Sequence, residues 1–200
     1  MSLLDPSEQT FYAKNFQDLD LSDQTLTAIE FEECTFKECN FSNAVFAQCK
    51  FIDCHFIKCN LSLVNIAYSQ FNEVLFSHCK IIGIDWTKAS WPNLMLFSPI
   101  KFSQCIINDC AFFGLELKEL VIESCKAHEV DFREGDFSQS DFSLSDFTNS
   151  LFSKTNLTKV NFTDASNYQI DIYTNTITEA KFSRYEAVAL LESLNIELID

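Results

Sequence analysis

Large apolar residues recur at every fifth position through most of the chain. The row begins at Phe11 and Phe16, runs at this spacing to Leu96, and resumes from Phe102 to Phe162 after a one-residue slip. A second row lies two residues before the first and contains all nine cysteines. A period of five fits neither an α-helix nor a strand that alternates every two residues. The pattern therefore predicts a solenoid, in which each short unit buries its apolar side chains by stacking on its neighbours.

The residues around each apolar centre make the pattern more specific. Asp or Asn often precedes the centre and follows a small residue, as in Cys39-Asn40-Phe41, Cys59-Asn60-Leu61, Ser140-Asp141-Phe142, Ser145-Asp146-Phe147, Thr155-Asn156-Leu157 and Val160-Asn161-Phe162. In this respect residues 11–165 resemble the pentapeptide repeat proteins. The resemblance implies an all-β fold, namely a right-handed quadrilateral parallel β-helix of about eight coils with four pentapeptides per coil. Residues twenty apart should then form one column.

The end of the chain predicts a cap. Ser183 and Glu186 have the spacing of a capping box that starts a helix. We expect one domain, with a β-helix and its N-terminal cap at 1–165 and a C-terminal cap and dimerisation helix at 166–200. The tail is similar to that of the Qnr-type quinolone-resistance proteins and their microcin-immunity relatives, which implies a homodimer joined end to end; simple capping of the last coil is the alternative. The candidate dimer interface comprises Tyr185, Ala187, Leu190, Leu191, Leu194, Ile196 and Leu198.

The interruption of the row predicts a local irregularity. Prolines cluster there, and proline cannot donate to a ladder of backbone hydrogen bonds. We expect residues 92–101 to form a distorted coil or a small protruding loop, which is either a kink or a binding feature. Its candidate residues are Trp91, Pro92, Phe97 and Pro99. The Qnr-type proteins carry longer loops that are tied to drug protection, and a slip of one residue provides no such loop.

The charge of the chain is strongly negative and uneven. The formal net charge is −15, and residues 39–115 are nearly neutral between two acidic stretches. Such a surface repels nucleic acid and membranes and attracts basic partners. One acidic belt, in which Asp commonly stands just before a Phe centre, is the candidate DNA-mimic surface: Glu116, Asp131, Glu134, Asp136, Asp141 and Asp146. The alternative role of these Asp side chains is to hydrogen-bond the backbone at the corners of the coil.

Catalytic and cofactor-binding patterns are missing from the sequence. The glycines lack nucleotide-loop spacing, and cysteines at a spacing of five point inward from different sides of the coil rather than converging on a metal. The carboxylates Glu33, Asp53 and Glu73 are twenty apart and should form a ladder on a solvated face. We therefore expect no enzymatic activity and no cofactor, metal or small-molecule ligand. Nine thiols without evident pairing indicate a reducing cytoplasm.

The function that the resemblance implies is a non-enzymatic acidic rod. It would mimic DNA and bind a bacterial type II topoisomerase, either DNA gyrase or topoisomerase IV, and so modulate the inhibition of that enzyme by quinolones or toxins. It would bind no nucleic acid and no membrane directly. The alternative is a protein-interaction scaffold with no topoisomerase role, which would dock a partner through apolar features around Trp91, Pro92, Phe97 and Phe113.

Overall fold

The computed structural model describes residues 9–92, 98–194, 196–197 and 199. These residues form a parallel β-solenoid of about eight coils, as the five-residue pattern predicts. The strands are short because each side of a coil holds only one pentapeptide. They are β1 Thr10–Tyr12, β2 Asn15–Gln17, β3 Thr25–Thr27, β4 Glu30–Glu32, β5 Thr35–Lys37, β6 Val45–Ala47, β7 Lys50–Ile52, β8 His55–Ile57, β9 Gln70–Asn72, β10 Val74–Ser77, β11 Ile100–Ser103, β12 Val121–Glu123, β13 Asn161–Phe162 and β14 Lys181–Phe182.

The rod has four faces, which we number in the order in which the chain visits them from Phe11. The first face contains the sheet β1-β4-β7-β9, and the second contains β2-β5-β8-β10-β11-β12. The strands β3 and β6 pair on the fourth face, and isolated bridges such as Asn40 to Asn60 continue the pairing on the third. All of these pairs are parallel, and most join residues twenty apart, so one coil contains four pentapeptides.

The centre of each pentapeptide points into the rod and stacks on its equivalent in the next coil. On the first face the Phe31 ring lies 5.3 Å from Phe11 and 5.3 Å from Phe51, nearly parallel to both. Rings on neighbouring faces meet edge to face, as Phe31 and Phe36 do at 5.2 Å. These are the two arrangements that aromatic rings prefer. The core is therefore a continuous column of apolar side chains along the axis.

The residue two positions before most centres is small and also points inward. All nine cysteines occupy this row and are buried with free thiols. Their thiols bond to backbone carbonyl groups, as Cys54 Sγ does to the carbonyl oxygen of Phe31 at 3.3 Å. Burial raises the pKa of Cys54 and Cys110 to about 12. The cysteines thus behave as small core residues.

One coil is longer than the others. Val74 in β10 pairs with Ile100 in β11, an offset of 26 residues where the coils before it have twenty. The sequence pattern predicted a slip of one residue, whereas this coil contains six extra residues. A 3₁₀ helix, Trp86–Lys88, leads into the enlarged coil.

The extra residues lie between Trp91 and β11. Pro92 is exposed, but Pro99 is buried and its carbonyl oxygen accepts a hydrogen bond from the Val74 N–H at 2.9 Å. Pro99 therefore belongs to the regular ladder rather than to the protruding segment in which we expected it, because a proline immediately before a strand needs no donor. Phe97 lies outside the described residues.

The C-terminal part of the chain closes the rod. Parallel pairing continues past residue 165 to β14, where the Phe182 ring stacks on Phe162 at 5.1 Å. Tyr168 is buried against both rings. The predicted helix is present as a 3₁₀ helix, Glu186–Leu194. The Ser183 hydroxyl does not cap it, because that oxygen accepts a hydrogen bond from the Asp164 N–H and donates one to the Asp164 carboxylate.

Candidate protein-interaction surface

The corners of the coil set the position of every outward side chain. The residue two positions after most centres adopts a left-handed conformation, with φ between 49° and 64° in the non-glycine residues of this kind. The residue before each centre often accepts a hydrogen bond from the N–H two residues later, as Asn40 does from Ser42. Asp and Asn favour both arrangements because their short side chains bond nearby backbone groups. The outward positions therefore form straight columns along the rod.

The acidic belt encircles the rod instead of lying on one side. Asp131, Asp136, Asp141 and Asp146 stand on the fourth, first, second and third faces of one coil. Glu116 lies in the same column as Asp136. Since a partner that grips the rod from one side contacts one or two faces, only part of the belt can meet a single partner at one time.

The belt carboxylates are also hydrogen-bonded within the rod. Asp131 makes a two-pronged contact with the Arg133 guanidinium, at 2.9 and 2.8 Å, which holds the pKa of that carboxyl below its usual range. Asp141 accepts a hydrogen bond from Asn161 in the next coil at 3.0 Å. The belt therefore takes part in the corner chemistry of the fold, and its role as a mimic surface stays a prediction.

Asp146 is the most strongly bonded carboxylate of the belt. Burial acts to raise its pKa, but hydrogen bonds from Asn167, Thr148 and His128 outweigh this effect and lower the pKa well below the usual range. The Asn167 amide lies at 2.8 Å and the His128 imidazole at 2.9 Å. Because Asn167 lies 21 residues after Asp146, this carboxylate joins two consecutive coils.

The first face is the most acidic side of the rod. Its outward columns hold nine acidic residues against three basic ones, whereas the counts are five against five on the second face, five against two on the third and four against three on the fourth. The nine acids are Glu30, Glu32, Glu33, Asp53, Glu73, Glu116, Glu119, Asp136 and Glu179. We call this surface the acidic face. It includes two belt members and the predicted ladder of Glu33, Asp53 and Glu73, whereas the other four acids were not selected from the sequence.

Each lysine of the acidic face pairs with one of its acids. The three ion pairs are Lys50–Glu30 at 3.1 Å, Lys118–Asp136 at 3.5 Å and Lys159–Glu179 at 3.6 Å. In the described part of the chain, the remaining six acids make no ion pair: Glu32, Glu33, Asp53, Glu73, Glu116 and Glu119. These six carboxylates are thus the ones that can meet charges of a partner.

A cleft interrupts the acidic face where the enlarged coil begins. Its volume is about 390 Å³, and its lining includes Phe71, Asn72, Trp91 and Pro92. Trp91 is half-buried, and its indole N–H donates to the carbonyl oxygen of Trp86 at 3.0 Å. This bond fixes one end of the indole while one ring face borders the cleft.

Phe113, an outward aromatic residue of the fourth face, is partly covered. Phe113 is 44% exposed, and the Arg133 guanidinium lies over its ring at 5.8 Å. Because Asp131 also holds Arg133, this ring is part of a fixed local cluster.

The predicted dimer interface lies partly against the rod and partly in solvent. Leu190 packs on the core, whereas Tyr185 is 89% exposed and Ile196 is 53% exposed. Ala187, Leu191 and Leu194 are half-buried, and Leu198 lies outside the described residues. Val188, which the sequence reasoning did not select, is 47% exposed on the same helix. The role of these residues in dimerisation stays a prediction.

Clusters of metal-ligating side chains are not found in the described ranges of the chain. Among the helices in those ranges, none has the length and apolar character needed to cross a bilayer.

Comparison with known proteins identifies the class to which this solenoid belongs. The family model of the pentapeptide repeat region matches residues 29–98 and 95–162. The chain therefore belongs to the pentapeptide repeat family. No curated protein has a significantly similar sequence.

Solved structures with a similar fold include QnrB1, a plasmid-mediated fluoroquinolone resistance protein. One trypsin-treated variant of QnrB1 is 24% identical with a TM-score of 0.62, and the match covers 96% of this chain and 92% of that one. A second trypsin-treated variant is 23% identical with a TM-score of 0.57, covering 92% of this chain and 100% of that one. Full-length QnrB1 is 22% identical with a TM-score of 0.50, covering 91% of this chain and 100% of that one. This likeness confirms the fold.

Proposed function

We propose that this protein is a non-enzymatic DNA mimic that binds a bacterial type II topoisomerase, DNA gyrase or topoisomerase IV, through its acidic face. The concentration of unpaired carboxylates on one side of a straight rod carries the proposal. A protein that binds duplex DNA presents basic residues at the spacing of the phosphates, and the same residues attract any rigid surface with a similar array of charge.

The density of charge supports mimicry. About eight coils at a spacing of about 4.8 Å give a rod of roughly 38 Å. The net charge of −15 then corresponds to one charge per ~2.5 Å, compared with one per ~1.7 Å in duplex DNA. The acidic face alone carries a net charge of −6 from its nine acids and three bases, or one per ~6 Å, compared with one per ~3.4 Å for a single DNA strand.

The enlarged coil brings the chain nearer to the Qnr-type pattern. The sequence pattern indicated a rod without a projecting loop, which argued against drug protection. A coil with six extra residues provides an insertion on the side of the rod next to the acidic face. We infer that the protein modulates the action of quinolones or of toxins on the topoisomerase; QnrB1, which has a similar fold, is named as a fluoroquinolone resistance protein.

We also infer a cytoplasmic homodimer in which two rods meet at their C-terminal caps. The exposed Tyr185 and Val188 side chains support this arrangement because they give the cap an apolar surface toward solvent. The nine unpaired thiols support a reducing compartment.

The alternative function, a scaffold without a topoisomerase role, receives less support. Of its proposed docking residues, Phe113 is covered by Arg133, and Trp91 is held by a hydrogen bond to Trp86.

Inhibition of purified gyrase supercoiling tests the proposal. We expect inhibition by the natural sequence to weaken as salt increases, because the interaction is between opposite charges. The variant Glu32→Gln, Glu116→Gln, Glu119→Gln removes three unpaired carboxylates of the acidic face and should inhibit roughly threefold to a hundredfold less well, since each exposed charge pair contributes about 0.2–1 kcal/mol.

A matched control separates the acidic face from total charge. The variant Asp23→Asn, Asp109→Asn, Glu129→Gln removes the same charge from the third face, where these acids also make no ion pair with a described residue. It should inhibit nearly as well as the natural sequence. Equal loss in both variants would contradict a specific face, and no inhibition by the natural sequence would reject the topoisomerase as the partner.

A further inference from the structure

The cleft at the start of the enlarged coil combines an aromatic floor with an acidic rim. The Phe71 ring centre lies 6.2 Å from that of Trp91, with the ring planes 36° apart, and Trp86 lies beneath Trp91 at 6.3 Å. Trp86 is buried, so it supports Trp91 from the core side. The floor of the cleft is thus a fixed aromatic surface and not a mobile side chain.

The rim of the cleft carries negative charge. Ile52 and Asn72 line the cleft, and Asp53 and Glu73 directly follow them at the corner, one above the other in consecutive coils. The Asp53 N–H donates to the carbonyl oxygen of Asn72 at 2.9 Å, which fixes the two corners relative to each other. Both carboxylates are exposed.

The cation nearest to the cleft along the column is already neutralised. Lys50 precedes the lining residue Phe51, and its ammonium group lies 3.1 Å from the Glu30 carboxylate in the preceding coil. The polar lining groups are neutral, namely Gln70, Asn72 and Ser90. The potential in the cleft is therefore set by the acids of the rim.

We propose that this cleft receives a basic side chain of the protein partner, with arginine favoured over lysine. The inference rests on the proposed function, in which the partner is a DNA-binding protein with a basic surface. An arginine places its guanidinium against Trp91, which is half-buried, where cation–π attraction acts, while the buried Phe71 supports that ring from the core side. The carboxylates of Asp53 and Glu73 then lie on the rim to accept its hydrogen bonds.

The cleft gives the rod a contact that DNA lacks. Phosphate groups offer charge and hydrogen-bond acceptors, whereas an aromatic floor also attracts a planar, partly desolvated cation to its ring. The cleft therefore selects among basic partners, while the acidic face attracts all of them.

A short peptide tests the cleft without the topoisomerase. We suggest titrating the full-length protein with acetyl-Gly-Arg-Gly-amide and following the backbone and indole N–H signals by NMR, with acetyl-Gly-Gln-Gly-amide as the matched neutral peptide. The arginine peptide should shift the signals of Gln70, Asn72 and Trp91, while the indole signal of the buried Trp86 changes less. Shifts spread evenly along the acidic face, or no shifts, would overturn the proposal.

Two variants divide the contributions of the floor and the rim. Trp91→Leu should weaken binding of the arginine peptide about threefold, the typical effect of one exposed cation–π contact. Asp53→Asn with Glu73→Gln should weaken it about threefold to tenfold, as expected for two surface charge pairs. The second variant changes only exposed corner residues, so it keeps the test valid even if Trp91→Leu fails to fold.

The matched control is Asp109→Asn with Glu129→Gln. These residues form a similar corner pair, twenty apart, on the third face. The control should bind the arginine peptide as the natural sequence does. An equal loss in the control and in the rim variant would show attraction by net charge alone and would overturn the proposal.

Gyrase binding separates this inference from the proposed function. Trp91→Leu leaves the charge of the acidic face unchanged, so any loss of gyrase affinity in this variant measures the cleft. If the peptide occupies the cleft but the natural sequence does not bind gyrase, the proposed partner is wrong and the cleft stands. If gyrase binds the natural sequence and Trp91→Leu equally well and the peptide does not bind, the cleft is wrong and the proposed function stands.

Discussion

Removal of one stacked phenylalanine measures how far the axial core holds the rod together. Phe51 is 1% exposed, and its ring is stacked between Phe31 and Phe71 at 5.3 Å on each side. Truncation of a buried Phe to Ala costs about 3–5 kcal/mol. Two stacked partners add about 0.5–1.5 kcal/mol each to the attraction that is lost. We therefore expect Phe51→Ala to lie in the upper half of this range, at about 4–5 kcal/mol.

The matched control is a phenylalanine on the outside of the same rod. Phe113 is 44% exposed and lies under Arg133, so Phe113→Ala should cost no more than about 1 kcal/mol, the size of one exposed cation–π contact. Thermal unfolding followed by circular dichroism compares the two variants. At about 2–4 °C per kcal/mol for a chain of this size, Phe51→Ala should lower Tm by roughly 8–20 °C. A decrease no larger than that of Phe113→Ala would refute the assignment of the five-residue row to the core.

Three further predictions concern acid stability, thiol reactivity and assembly. The pKa of Asp146 is lower in the folded chain than in the unfolded chain, so its contribution to stability is complete above about pH 4 and is lost as the pH falls. Asp146→Asn should therefore flatten the decrease of Tm between pH 5 and pH 2. An unchanged slope would contradict this prediction. All nine thiols are buried, and burial raises the pKa of Cys110 to about 12. A thiol reagent such as Ellman's should therefore react with none of them at pH 8 until urea unfolds the rod. A rapid reaction of the folded protein would show that the cysteine row is accessible to the reagent. If the caps dimerise, Tyr185→Glu with Val188→Glu should convert the dimer to a monomer in sedimentation velocity, and a dimer that persists would place the interface elsewhere.

The five-residue row predicted the core because each buried position is visible in the sequence itself. Every Phe between Phe11 and Phe76 in this row is buried, since a solenoid repeats one environment in each unit. The same repetition prevented the length of the enlarged coil from being predicted. Six extra residues change a period of five by only one, and Leu96 stood at the expected apolar position, so the sequence showed a slip of one residue.

The acidic face could not be predicted from the sequence for the same reason. The column of Glu73 continues at Glu119, 46 residues later, because one of the two coils in between has 26 residues, whereas two steps of twenty from Glu73 reach Phe113. The charges on the two sides of the insertion therefore could not be assigned to one face from spacing alone. The ladder of Glu33, Asp53 and Glu73 was visible, but its continuation was not.

The helix start at Ser183 shows the limit of local signals. Ser183 and Glu186 have the spacing of a capping box, yet the Ser183 hydroxyl bonds to Asp164 in the coil beneath it. A residue nineteen positions away competes for this hydroxyl because the fold places consecutive coils in contact. Such a contact depends on the register of the coils, which the capping motif does not contain.

Displacement of duplex DNA from the topoisomerase tests the central claim most directly. Fluorescence anisotropy of a labelled duplex bound to purified gyrase follows the release of DNA as the rod is added. A DNA mimic that occupies the DNA-binding surface should displace the duplex competitively, so the concentration of the rod needed for half-displacement should rise in proportion to the DNA concentration. The acidic-face variant should displace the duplex less well than the third-face control. Binding of the rod to gyrase without release of the duplex, or equal displacement by both variants, would contradict the account.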